Sequence, residues 1–171
     1  MPTISDTSPL IWLSKAGKIL LLKELFGEII VPSEVYKEAV ENGLAEGFSD
    51  VLAIKECFDQ GWIRTSRLTE DEIVLCQKIL DHTSDVHLGE VQAIILARRM
   101  NALLLMDESS GRAFAQTWGI QVRGVLYVIT KAFREKKLNN KEAKETVYAL
   151  VSKGFRIDPS LLSTILRALD Q

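Results

Sequence analysis

The sequence predicts one α/β domain built around parallel strands, and three observations carry that prediction. Short apolar runs alternate with longer amphipathic stretches from end to end, the pattern of βα units. Residues 102–106 (ALLLM) are apolar throughout, as a central strand covered on both faces must be. Two of the short apolar runs stop at an aspartate, Asp6 and Asp107. A chain of 171 residues, 47% hydrophobic and 26% charged, suffices for one well-buried core and falls short of two full domains.

In chain order, residues 2–5 form the first strand. A helix over residues 8–16 follows, with Pro9 in its first turn, where a missing N–H costs nothing. EIIV, residues 28–31, is the second strand; Pro32 closes it, and Ser33 caps a helix reaching residue 41. Residues 42–47, with two glycines, are expected as a loop. A helix over residues 49–60 leads to a third strand, residues 62–65. Thr69 with Glu72 makes a capping box for a helix to residue 80. After a polar break at residues 82–85 comes a periodic helix, residues 88–100, and then the central strand. A helix over residues 109–118 ends at Gly119, and residues 120–123 are the last strand. Beyond Gly124 everything reads as helix: residues 126–134, 141–153 and 160–169, the last two started by Asn139 and by Asp158-Pro159.

The net charge is −2, which argues against coating nucleic acid through bulk positive charge. Its distribution is uneven. Residues 1–123 hold 12 Lys/Arg against 18 Asp/Glu, whereas residues 124–171 hold 9 against 5. Lys131, Arg134, Lys136, Lys137, Lys141 and Lys144 either track a polyanion or form an ordinary solvated face. Cys57 and Cys76 lack paired spacing, so they are expected as buried apolar residues. No apolar run has the length of a membrane span and the amino terminus lacks a signal pattern, so a cytoplasmic protein is expected.

Asp6 and Asp107 are each the first polar residue after a strand, and ligands of open parallel sheets bind at that edge. Two carboxylates there repel, and a divalent cation removes the penalty. Oxygen donors without His or Cys suit Mg²⁺ or Mn²⁺. Glu90 shares a helical face with Ile94 and Ala97 and so borders the core. Glu38, between Val35 and Ala39, lies at the margin of a packed face, while Glu34 and Glu41 look more solvent-facing. Any one of these acids alone is equally a helix cap or a surface charge.

Four segments in order carry a resemblance: SDTSPLIWL, VPSEVYKEAV, LGEVQAIILA and LLLMDESSGRAFAQTWGIQVRG. From about residue 4 to about residue 137 the chain resembles PIN-domain proteins, within them the small prokaryotic group close to VapC-type toxins. The resemblance implies a three-layer fold with a five-stranded parallel sheet over residues 1–138; residues 139–171, which it covers poorly, are expected from their helical pattern as an extension packed on the same domain. It implies a quartet of Asp6, Glu38, Glu90 and Asp107, Mg²⁺ or Mn²⁺ dependence, and endoribonuclease activity. It also implies a homodimer joined through an apolar helix face, and a toxin neutralised by an antitoxin protein encoded alongside. GVLYVI, after the last strand, departs from the small-residue stretch of close relatives, so that edge of the site is expected to differ.

On this reading Asp6, Asp107 and Glu90 are the metal ligands, and Glu38 positions water or a second ion. Thr7, Ser8 and Ser109 either orient phosphate or cap their helices. Arg112 either contacts the scissile phosphate or pairs with Glu108. His82 and His87 are expected to be structural, and Trp12, Trp62 and Trp118 to pack in the core. Two other readings remain: a phosphatase of the haloacid-dehalogenase type, and a non-catalytic RNA-binding or dimerising module. The first wants an acid two residues after Asp6, where Ser8 stands; the second leaves four acids unexplained.

Overall fold

The computed structural model describes residues 1–47 and 50–171. Its strands are β1 (Thr3–Ser5), β2 (Ile29–Pro32), β3 (Ile63–Ser66), β4 (Leu103–Leu105) and β5 (Val122–Arg123), all parallel, in the order β3-β2-β1-β4-β5. Alternate side chains along these strands go to opposite faces. Ile29, Val31, Leu103 and Leu105 join one apolar core, and Ile4, Ile30, Leu104 and Val122 join another. Burial on both faces explains why β2 and β4 are apolar, whereas β3 at the sheet edge carries the exposed Arg64 and Thr65.

Helices α1 (Thr7–Lys15), α2 (Leu20–Phe26), α5 (Val51–Asp59) and α9 (Val125–Arg134) cover the first face. Helices α7 (Leu88–Met100) and α8 (Ser109–Thr117) cover the second, with α6 (Glu70–His82) packed outside α7. The last two helices, α10 (Asn140–Ser152) and α11 (Pro159–Ala168), send Ala143, Val147, Leu150, Ile165 and Leu169 into the first core. Sheet and helices therefore make the three layers of an α/β fold. Cys57 and Cys76 are buried free thiols. Among the described residues no helix is long and apolar enough to cross a membrane.

Two segments differ from the sequence expectation. LLLKELF forms α2, where no element is expected; seven residues are too short for a helical period to be read. Residues 42–47, expected as a loop, mostly continue the preceding helix. That stretch runs as α3 (Ser33–Tyr36), a π-helical segment (Lys37–Asn42) and α4 (Gly43–Glu46). Gly43 stands inside this helical run because its neighbour is close: a Cβ there would be 2.3 Å from Val51 Cγ2. The turn comes at Gly47, at φ +77°. The expected start of the next helix, Ser49, lies outside the described residues.

Chain order fixes where a ligand fits. Helix α1, leaving β1, packs on one face of the sheet, and α8, leaving β4, packs on the other. A crevice opens between two adjacent strands whose following helices diverge in this way. β1 and β4 pair directly, with Ser5 opposite Leu105. Asp6 and the Met106-Asp107 step therefore stand side by side at its mouth.

Candidate metal centre

Asp6 occupies the N-cap position of α1, yet its side chain makes no capping hydrogen bond. It is only 4% exposed. Burial raises its carboxyl from 3.8 to about 7; the Thr7 backbone N–H opposes this, and the charges of Glu90, Glu38 and Asp107 add to it. Asp6 is thus the point at which the fields of all four acids meet.

The neighbouring residue ties in the second acid. Thr7 Oγ1 donates to Glu38 Oε2 at 2.6 Å. Glu38 sits in the π-helical segment and is half-buried; Glu41 is exposed and Glu34 half-buried. Its other oxygen reaches α7, where a Cβ on Gly89 would stand 2.7 Å from Glu38 Oε1. The next residue is Glu90, 6% exposed, whose Oε2 accepts the His87 backbone N–H at 3.2 Å. Burial pushes the Glu90 carboxyl up, against that bond and the His87 charge. Glu90 therefore borders the core, as its helical face predicts, while also helping to start α7.

Helix α8 closes the circuit. A Cβ on Gly111 would stand 3.2 Å from Glu90 Oε2 and 2.5 Å from Met106 Sδ. Asp107 follows Met106, and its Oδ1 accepts the Val125 N–H at 2.9 Å, at the first residue of α9. The segment GVLYVI, marked as a departure, thus supplies a backbone donor to the site. Asp107 Oδ2 is buried with no hydrogen-bond partner, and so is Ser8 Oγ; the other such atom among the described residues is Trp62 Nε1. Ser8 is near enough to lower the Asp107 pKa, but the geometry between them is not that of a directed hydrogen bond. Burial nevertheless raises Asp107 from 3.8 to about 6, against the Val125 N–H and the Arg112 charge.

Arg112 makes no ion pair with Glu108; its Nη1 donates to the Met106 carbonyl at 2.9 Å. That bond keeps its charge beside Asp107. Ser109 is exposed at the start of α8. His82 lies away from the acids, its Nδ1 2.7 Å from the Lys78 carbonyl. Trp62 is buried; Trp12 and Trp118 are half-buried, Trp118 under the Arg98 guanidinium. In the basic tail Lys131, Lys141 and Lys144 pair with Glu135, Glu145 and Asp170. Arg134, Lys136 and Lys137 are exposed.

The glycines that face the acids do not stand out in the sequence. Gly89 and Gly111 lie within helices, where glycine costs up to about 1 kcal/mol relative to alanine. At both positions a side chain would meet a carboxylate of the site.

Among the described residues no three acidic, His or Cys side chains converge into a ready metal cage. The donor set nonetheless fits a hard cation. Its donors are carboxylate oxygens, three of its acids are held above their ordinary range, and Asp107 offers a buried oxygen with no hydrogen-bond partner.

A family model for a PIN domain, DUF3368, matches residues 2–171, so the match takes in the C-terminal helices. Among solved structures the chain is similar to a PilT N-terminus domain protein from the hyperthermophilic archaeon Sulfolobus solfataricus. The two are 14% identical with a TM-score of 0.53, over 77% of this chain and 93% of that one. At that identity the likeness bears on the fold alone. No curated protein matches the sequence.

Proposed function

The chain belongs to the PIN-domain family, a nuclease-type fold family, and from that premise we propose that it is a divalent-metal-dependent endoribonuclease. The observation that carries the proposal is Asp107 Oδ2, an unpartnered buried carboxylate oxygen in the crevice shared with Asp6. Asp6, Asp107 and Glu90 would hold Mg²⁺ or Mn²⁺. A divalent ion there lowers the pKa of water and neutralises charge gathering on a phosphodiester.

The protein's own groups divide the remaining work. Glu38 accepts a proton from water at Oε1, because Thr7 occupies its Oε2. Arg112, held by the Met106 carbonyl, lends positive charge to the scissile phosphate. Ser109, exposed at the amino end of α8, offers a hydroxyl to a phosphate oxygen.

The test is cleavage of a mixed pool of single-stranded and structured RNA with Mn²⁺ or Mg²⁺. Cleavage that Asp6→Asn abolishes supports the proposal; RNA left intact with both ions overturns it. Release of phosphate from a small monoester would favour the phosphatase reading instead.

The proposal extends to a toxin held in check by a co-encoded antitoxin. A neighbouring small protein that binds this chain and suppresses cleavage on co-expression supports that extension. Self-association would use α6, where Ile73 and Val74 are 57% and 54% exposed. A charged residue at Val74 that leaves the sedimentation coefficient unchanged counts against it.

A further inference from the structure

A cavity of about 590 Å³ adjoins the metal centre on the side of Asp107 and Ser8. Its far wall is the loop between α10 and α11, at Gly154, Phe155 and Arg156. That loop is held in place. Gly154 turns the chain at φ +100°, a conformation side-chain-bearing residues rarely adopt, and the Phe155 N–H donates to the Leu150 carbonyl at 2.9 Å. Phe155 then packs edge-on against Trp12 of α1, with ring centroids 5.3 Å apart and planes at 83°.

The next residue, Arg156, is exposed and has no acidic partner among the described residues. The cavity is thus lined by Asp107, Glu108 and Ser109 on the side of the acids and by the Arg156 guanidinium on the loop. Trp12 and Phe155, both half-buried, line it as well. A planar fork of this kind recognises phosphate, and aromatic rings next to it suit a nucleobase.

Resting on the ribonuclease reading, we infer that this cavity is a subsite for the RNA nucleotide next to the scissile phosphate. Arg156 holds that nucleotide's own phosphate, and its base lies against Trp12 and Phe155. The C-terminal helices therefore bear on substrate binding through the loop between them. Arg156 is a binding residue that leaves the metal ligands untouched.

The experiment compares the full chain with Arg156→Ala, using a short labelled single-stranded RNA. Mn²⁺-dependent cleavage and fluorescence anisotropy over a salt series are measured, with Arg167→Ala on α11 as control. The expected result is a KM raised about tenfold, kcat changed less than about twofold, and a log–log salt slope shallower by about 0.7, one phosphate on a single strand. Mn²⁺ affinity and Tm stay unchanged. If cleavage proceeds and Arg156→Ala leaves KM and slope as they were, the subsite is overturned and the nuclease stands. An equal loss from Arg167→Ala assigns the effect to diffuse charge and also overturns it. If the unsubstituted chain neither binds nor cuts RNA, both fall together.

Discussion

The crevice and the C-terminal helices treat their aspartates differently. In the C-terminal helices acids are spent on structure. Glu142 and Asn139 complete a capping box, Asp158 accepts the Ser160 and Leu161 N–H groups, and Asp170 pairs with Lys144. The Ser160 hydroxyl, with the Leu161 and Ser160 N–H groups, holds the Asp158 carboxyl below its ordinary range, and Lys144 with Asn140 does the same for Asp170. In the crevice, Asp6 stands at a cap position without capping, Asp107 keeps one oxygen idle, and burial pushes both carboxyls up. Helix ends offer the same backbone donors in both regions. Asp6 leaves its cap unused, while Asp107 takes one such donor, the Val125 N–H, and keeps its other oxygen buried and unpartnered.

Substitution breaks this contrast most sharply at Asp107. Asp107→Asn keeps an oxygen for the Val125 N–H and removes the charge. RNA cleavage should fall by at least roughly 100-fold, the upper range for loss of a metal's supporting residues, while Tm at pH 8 holds or rises. A parallel fall in Tm and activity would mean that Asp107 is structural.

Gly89→Ala is the next largest. A methyl group there meets only the carboxylate end of Glu38, which can swing aside. Cleavage should drop about tenfold although chemical denaturation shows stability unchanged or up by about 0.5–1 kcal/mol, alanine being the better helix former.

Acidity gives a third test, in the metal-free chain. The folded state keeps protons on Asp6 and Asp107 up to about 7 and about 6, whereas the unfolded chain releases them near 3.8. Their contribution is therefore full below the unfolded value and lost as pH rises through the folded values. Tm should fall between pH 5 and pH 8, and added Mn²⁺ should raise it more at pH 8, where protons no longer compete. An equal Mn²⁺ effect at both pH values would detach the metal from these carboxyls. The smallest effect belongs to the other region: Asn139→Ala should cost about 1 kcal/mol in denaturant titration and leave cleavage unaltered.

What the sequence makes legible follows the same division. Strands buried on both faces must be apolar, so the runs of β2 and β4 and the two strand-end aspartates can be read directly. Capping boxes at Thr69 and Asn139 are local, and both bonds of each form as the spacing predicts. Residues 42–47 mislead because Gly43 answers to Val51, a neighbour that only the folded chain supplies. The same holds at the crevice. Nothing local tells that Gly89, Gly111 and Gly124 make room for Glu38, Glu90 and Asp107, or that Arg112 leans on the Met106 carbonyl. Those relations join segments far apart in the chain.

The π-helical segment that carries Glu38 makes this acid sensitive to chain length as well as to chemistry. A π turn holds one residue more than an α turn, and each residue of an α-helix advances the side-chain direction by about 100°. Deleting a single residue between Glu38 and Gly43 would let the segment close as ordinary α-helix. Glu38 would then rotate away from Thr7 relative to the anchored contact between Gly43 and Val51. An indel, with every acid still in the sequence, would be enough to misalign the centre.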